Sequence, residues 1–259
     1  MLRRSVFVVC AIAFWAGVPS GADAKDWWGQ KLANVPTQFI FGYGSLIDTA
    51  SRDSSVGKTI SAIPVRVSAA FGYLRTWNDR APSGFTALGL RRARSDEPGR
   101  TINGVIYPVV GTDMAHFDAR EAGYVRVEIP PGDIEAVGWQ RLPDSGHIWV
   151  YVPIGAANGD QDLPGPDAAF PMLQSYIDAV IQGGLEYGPD FAREIIETTD
   201  GWNQFWLNDR ELARRPWVHD PSSLAVDRLL ANTAPSSGVF PSRMFAEDYA
   251  ARWRGVLAK

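Results

Sequence analysis

Thiols are almost missing from this chain. Cys10 is the single cysteine among 259 residues, so no intramolecular disulfide can form. Histidine is scarce too: His116, His147 and His219 are the only three, and none pairs at metal-ligand spacing. A basic excess is also lacking. Lys plus Arg total 25 against 29 Asp plus Glu, for a net charge of −4, which argues against a dedicated nucleic-acid binder. There is no G-x-x-x-x-G-K-[ST] phosphate loop. Ser45 is not in a G-x-S-x-G elbow either, because Ile47 stands where the second glycine belongs. What is present is ordinary globular composition, 46% hydrophobic and 21% charged, with 10 Trp and 12 Phe to build an aromatic core.

The first 24 residues read as a targeting segment rather than as fold. Arg3 and Arg4 give a positive start, and the apolar run Val6–Val18 is too short for a spanning helix. Pro19, Ser20 and Gly21 break it, and Ala22-Asp23-Ala24 offers small residues at the two positions a signal peptidase reads. Cleavage after Ala24 predicts an exported, periplasmic or secreted chain that starts at Lys25 and has no membrane attachment. The alternative is a retained anchor.

Beyond that segment, Gln38–Phe41 is a short β-rich run ending at Gly42. Further strands are predicted within 59–77, with Pro64 as an edge or bend, and at 85–90, 102–109 and 147–152. A helix starting at Thr112 or Asp113 is predicted to run to Ala122. Residues 156–166 read as a loop. Residues 170–182, 190–197, 202–212 and 240–257 read as helical. Strands first and helices last predict an α+β fold. The expected division is a strand-rich unit over 25–166 and a helical extension over 167–259 packed on the same body.

Three features carry candidate chemistry. In a helix 113–122, Met114, Phe117 and Glu121 share one face, so the Glu121 carboxylate points with an apolar stripe. Loss of water there raises its pKa toward the range where it can take and return a proton. An ion pair with Arg120, Arg126 or Arg75 explains the same placement without catalysis. Next, Tyr124, Arg126 and Glu128 alternate with Val125, Val127 and Ile129, which puts Tyr124 either at the same cavity or in the core as a half-buried aromatic. Finally, Gly42-Tyr43-Gly44-Ser45-Leu46 follows a buried strand. Its glycines allow a tight turn whose successive N–H groups suit a carboxylate or oxyanion.

Two of these segments together resemble a known family. Phe39-Ile40-Phe41-Gly42-Tyr43-Gly44-Ser45-Leu46 resembles the Y-G-S-L signature of the γ-glutamylcyclotransferase-like superfamily. The segment Asp118-Ala119-Arg120-Glu121-Ala122-Gly123-Tyr124-Val125-Arg126-Val127 resembles its D-x-R-E-x-x-Y-x-R-x-x-V segment, with Gly104-Val105-Ile106-Tyr107 as the strand leading to it. The likeness spans about Phe39 to Val152. It implies a small mixed β-barrel with flanking helices. It also implies a catalytic acid/base at Glu121 and substrate held by Tyr43, Gly44, Ser45 and Leu46, with Tyr124 as a wall or hydrogen-bond partner. The implied activity is ring closure of a γ-glutamyl amide to 5-oxoproline, with no metal and no cofactor. The implied partner is thus a small γ-glutamyl molecule, with no nucleic acid. Two other readings stand beside it: a non-catalytic member that binds a small carboxylate or peptide in the same cavity, and amide hydrolysis with Ser45 as nucleophile. The residues past Pro166 exceed the compact family core.

Overall fold

The structure, a computed structural model, describes residues 25–32, 34–160, 162–210 and 221–257. The expected targeting segment lies outside them. In chain order the strands are β1 (Lys25–Trp27), β2 (Gln30–Leu32), β3 (Gln38–Gly42), β4 (Ile63–Val67), β5 (Tyr73–Ala81), β6 (Phe85–Arg92), β7 (Ile102–Val109), β8 (Tyr124–Glu128), β9 (Ile134–Ala136), β10 (His147–Pro153), β11 (Met172–Leu173), β12 (Thr199–Asp200), β13 (Trp206–Asn208) and β14 (Met244–Phe245). The helices are α1 (Thr49–Ser54), α2 (Asp113–Arg120), α3 (Ile154–Ala157), α4 (Gln174–Leu185), α5 (Pro189–Glu197), α6 (Pro221–Asn232) and α7 (Ala246–Leu257). The class is α+β.

A six-stranded sheet in the order β8-β10-β3-β7-β4-β9 forms the centre. Only β10 and β3 run parallel; the other pairs are antiparallel. Runs such as Phe39-Ile40-Phe41 and all of β7 are buried, because both faces of the central strands are covered. Pro64 sits inside β4 rather than at an edge. Its carbonyl accepts from Val137 N, just past the three-residue β9 ladder, so the missing proline N–H faces the side where pairing has ended. A second sheet, β12-β5-β6, lies beside the first, and β11-β13-β14 forms a third.

The last third is therefore not wholly helical. Trp206–Asn208, expected as part of a helix, is a strand that pairs with Met172–Leu173 and Met244–Phe245. That partnership is non-local, which overrides the local preference. Residues 211–220, the end of that expected helix and the positions of Trp217 and His219, lie outside the described residues. The C-terminal helices close on the sheet directly. A Cβ on Gly183 of α4 would come within 2.4 Å of Asp48 N, so only glycine lets α4 rest on the turn after β3.

Arg75 ties these layers together. Fully buried on β5, it donates to Tyr43 O (3.2 Å), Asn103 O (2.8 Å), Asn103 Oδ1 (2.9 Å), Thr199 Oγ1 (2.9 Å), Thr198 Oγ1 (2.6 Å) and Ile195 O (3.1 Å). One guanidinium thus joins the turn after β3, strand β7 and the C-terminal end of α5. Arg75→Met keeps the stem and strands these acceptors, each costly to leave unpaired. Urea unfolding is expected to show a loss of about 3 kcal/mol or more. A loss below about 1 kcal/mol, within the range of a single ordinary hydrogen bond, would deny it that role.

Candidate active site

The turn after β3 is built by its own hydrogen bonds. Ile47 N donates to Gly44 O at 3.0 Å and Asp48 N to Ser45 O at 3.2 Å, closing a 3-10 turn over Ser45–Ile47. The N–H groups of Gly44, Ser45 and Leu46 precede its first bond, as at any helix start. Asp48 then caps α1 by accepting from Ser51 N at 2.6 Å. The Tyr43 ring is buried, and its hydroxyl donates to Tyr151 O at 2.9 Å. Burial, with the Glu121 charge next, holds that phenol well above its ordinary range.

Glu121 lies one residue past α2. The expected helix to Ala122 ends at Arg120. Glu121 is the C-cap, its N–H on Phe117 O at 2.9 Å and its ψ at 39°. The chain then turns through Ala122 and Gly123 into β8, fixed by Tyr124 N on Glu121 O and by Ile154 N on Gly123 O. The apolar face survives this correction: Phe117 is wholly buried, Met114 packs on the core, and the Glu121 side chain is only 16% exposed. Of the three arginines considered as partners, Arg120 is the one that pairs with it, at 3.2 Å. Arg120 is itself pinned to Ser51 O (2.8 Å), Ser51 Oγ (3.0 Å), Ser55 Oγ (2.6 Å) and Ser45 Oγ (3.1 Å). One side chain thus links the acid to the turn. Burial pushes the Glu121 carboxyl above its usual range; Arg120 pulls it down and the Asp79 charge pushes it up.

Tyr43, Gly44, Ser45, Leu46, Glu121 and Tyr124 all line one cleft of about 40 Å³, which brings the six predicted site residues together. Tyr124 reaches across it and donates to Leu88 O at 3.2 Å. Leu88, Tyr151 and Tyr176 complete the wall, and Asp79 stands behind Tyr124; none of these was expected from the sequence. The Tyr176 hydroxyl accepts from Leu88 N at 3.3 Å and lies 3.1 Å from where a Cβ on Gly44 would be. The predicted alternation of β8 holds only in part. Val125 is 38% exposed, since β8 is an edge strand whose second face is uncovered. Arg126 pairs with Asp118 at 3.2 Å, and Asp118 also accepts from the Tyr151 hydroxyl at 2.8 Å.

Other features stand apart. His116 is exposed, as expected, and His147 pairs with Glu128 at 2.7 Å. Asn208-Asp209-Arg210, unassigned from sequence, belongs to a charge network: Arg210 pairs with Asp178 and Asp227, and Asp209 accepts from Ser175. A larger cavity of about 740 Å³ lies between Asp26–Gly29 and Trp139–Asp144, away from the buried acid. Among the described residues no His, Cys, Asp and Glu side chains cluster in a way that could hold a metal, and no helix is long and apolar enough to cross a membrane.

No family model matches the chain, and no curated protein matches it. Solved structures do. One is titled gamma-glutamyl cyclotransferase, at 12% identity and a TM-score of 0.40, covering 61% of this chain and 85% of that one. Another is YkqA from Bacillus subtilis, at 19% identity and a TM-score of 0.42, covering 63% and 54%. A protein of Arabidopsis thaliana solved in solution gives 22% identity and a TM-score of 0.32, covering 48% and 66%. The match thus spans less than two thirds of the length of the latter two. All are distant likenesses.

Proposed function

We propose that the protein closes γ-glutamyl amides or peptides to 5-oxoproline and releases the amine, with Glu121 as general acid/base. One observation carries this reading: a nearly buried carboxylate and the Tyr43-Gly44-Ser45-Leu46 turn, far apart in sequence, line the same cleft. A γ-glutamyl amide contains its own nucleophile, the α-amine. That amine must lose a proton as it attacks the γ-carbonyl, and the leaving nitrogen must gain one. A carboxylate beside both nitrogens does both jobs. Because ring closure is intramolecular, the remaining task is to hold a folded conformer. The N–H groups of Gly44, Ser45 and Leu46 suit the glutamyl carboxylate or the developing oxyanion. A folded glutamyl group needs more room than the closed cleft offers, so binding requires the wall to yield.

The competing amide hydrolysis lacks the histidine base that a serine nucleophile calls for. The Ser45 hydroxyl accepts from Arg120, which is a cation, and no histidine lines the cleft. Mass spectrometry of products from a panel of γ-glutamyl amides and dipeptides separates the readings. The expected result is 5-oxoproline plus the free amine, unchanged by EDTA because a carboxylate shuttle needs no metal. Free glutamate instead would mean hydrolysis, and no turnover with retained binding would mean a binding protein.

Export is part of the same proposal. A short apolar run followed by Ala22-Asp23-Ala24 supports removal of residues 1–24 and action outside the cytoplasm, on a small γ-glutamyl molecule. Intact-mass measurement of natively expressed protein is expected to give an N-terminus at Lys25. An unprocessed chain would reject it.

A further inference from the structure

Arg120 ends α2 beside the acid, yet the reaction above gives it no task. Its Nε stands 3.2 Å from Glu121 Oε1. Nη1 donates to Ser51 O at 2.8 Å and to Ser55 Oγ at 2.6 Å. Nη2 donates to Ser45 Oγ at 3.1 Å and to Ser51 Oγ at 3.0 Å. Each Nη carries two hydrogens, so the outer edge of the fork is wholly given to serine oxygens. It keeps nothing for a substrate anion, and binding the glutamyl carboxylate is not its role.

We infer that Arg120 is a positioning residue: it docks the Glu121 carboxylate, in its base form, onto the turn after β3. This deepens the function proposed above and rests on it. Side chains one residue apart on a helix do not face each other, so the Arg120–Glu121 contact is not a default of the chain. The fork is held by Ser45 of the turn, Ser51 of α1 and Ser55 just past it. Asp48 joins turn and helix, with its N–H on Ser45 O at 3.2 Å and its carboxylate on Ser51 N at 2.6 Å. The serines therefore form one platform. Because Ser45 Oγ accepts from Nη2, its own hydrogen is left to donate into the cleft it lines, beside the N–H groups of the turn. When Glu121 takes a proton the ion pair weakens, but the serine bonds persist. The turn keeps its place while the charge on the acid comes and goes.

The surroundings of the acid agree. The groups acting on Glu121 are Arg120 on α2, Asp79 on β5, Tyr43 after β3, Tyr107 on β7, Tyr151 on β10 and Tyr176 on α4. Arg120 is the cation of this set. Burial pushes the Glu121 carboxyl up, Arg120 pulls it down and Asp79 pushes it up. Without the guanidinium the remaining influences all favour the neutral acid, so Glu121 would hold its proton to higher pH. A lysine at 120 restores a charge but not the fork. Its compact ammonium cannot serve Glu121, the turn and α1 together. Charge and position are therefore separable by mutation.

Carboxyl ¹³C NMR titration of the full chain tests the pair without any substrate. The Glu121 midpoint is expected to rise in Arg120→Met and to stay near wild type in Arg120→Lys. A midpoint unmoved by Arg120→Met would overturn the assignment. The kinetic arm reads 5-oxoproline release against pH, with thermal unfolding showing that each variant is folded. Arg120→Met is expected to lower kcat/KM about 10²-fold, the scale of a misplaced catalytic group, and to move the acidic limb to higher pH. Arg120→Lys is expected to keep the wild-type limb yet run about tenfold below wild type. Full activity in Arg120→Lys would reduce Arg120 to a bare charge and reject the positioning role. Ser45→Ala should cost less in the Arg120→Met background than alone, because the link is already gone. Losses that simply multiply would count against docking through Ser45. A wild-type protein that releases no 5-oxoproline would sink the proposed reaction and leave the titration to decide the Arg120–Glu121 pair.

Discussion

Glu121→Gln is expected to abolish 5-oxoproline release while the protein stays folded. The amide matches the carboxylate in shape and can still occupy the cap position after α2, where the backbone bond to Phe117 O sets the chain. It cannot take the proton of the attacking amine. Loss of a positioned acid/base costs about 10²–10⁴-fold. Stability should change little or rise, because a partly buried charge is removed. The opposing term is the loss of the ion pair to Arg120, which remains anchored on Ser45, Ser51 and Ser55. Product release by the purified variant, read beside its thermal unfolding, checks both halves. Retention of more than about a tenth of wild-type turnover would remove Glu121 from the chemistry.

Gly44→Val is expected to damage binding more than folding. Gly44 has φ −121° and ψ −133°, outside the left-handed region. What excludes a side chain is the space: a Cβ would sit 3.1 Å from the Tyr176 hydroxyl and 3.7 Å from Leu88 Cβ. A branched side chain must push Tyr176 off its contact with Leu88 N and fill the cleft beside the turn N–H groups. Misplacing one oxyanion-type donor costs about 10²–10³-fold in rate. The expected outcome is a kcat/KM lower by that order with a small change in melting temperature. Normal kinetics would make the turn scaffold only and move the cleft's function elsewhere.

Much of the cleft was legible in the chain because its chemistry is carried by short, local segments. Two glycines around Tyr43 after an apolar run mark a tight turn whatever the fold does. Met114, Phe117 and Glu121 mark an acid on an apolar stripe, and that survived the early end of α2 because Glu121 still occupies the helical cap. Helix α1 left no apolar period to read, being Thr-Ala-Ser-Arg-Asp-Ser, and was not expected; the structure shows it capped by Asp48. Strand β13 looked helical because its partners lie far along the chain.

The sequence by itself determined the strands of the central sheet apart from the short edge strand β9, the turn after β3, the single acidic residue on the apolar face and its neighbour Tyr124. Each of these depends on hydrogen bonds or side-chain periodicity within about ten residues. Only the tertiary structure decided that Arg120, rather than Arg75 or Arg126, pairs with Glu121. It alone brought Leu88, Tyr151 and Tyr176 around the cleft. Those contacts join residues far apart in the chain, and a paired strand or a packed helix fixes them. No local pattern encodes which distant surface a side chain will meet, because that is settled by how the layers pack.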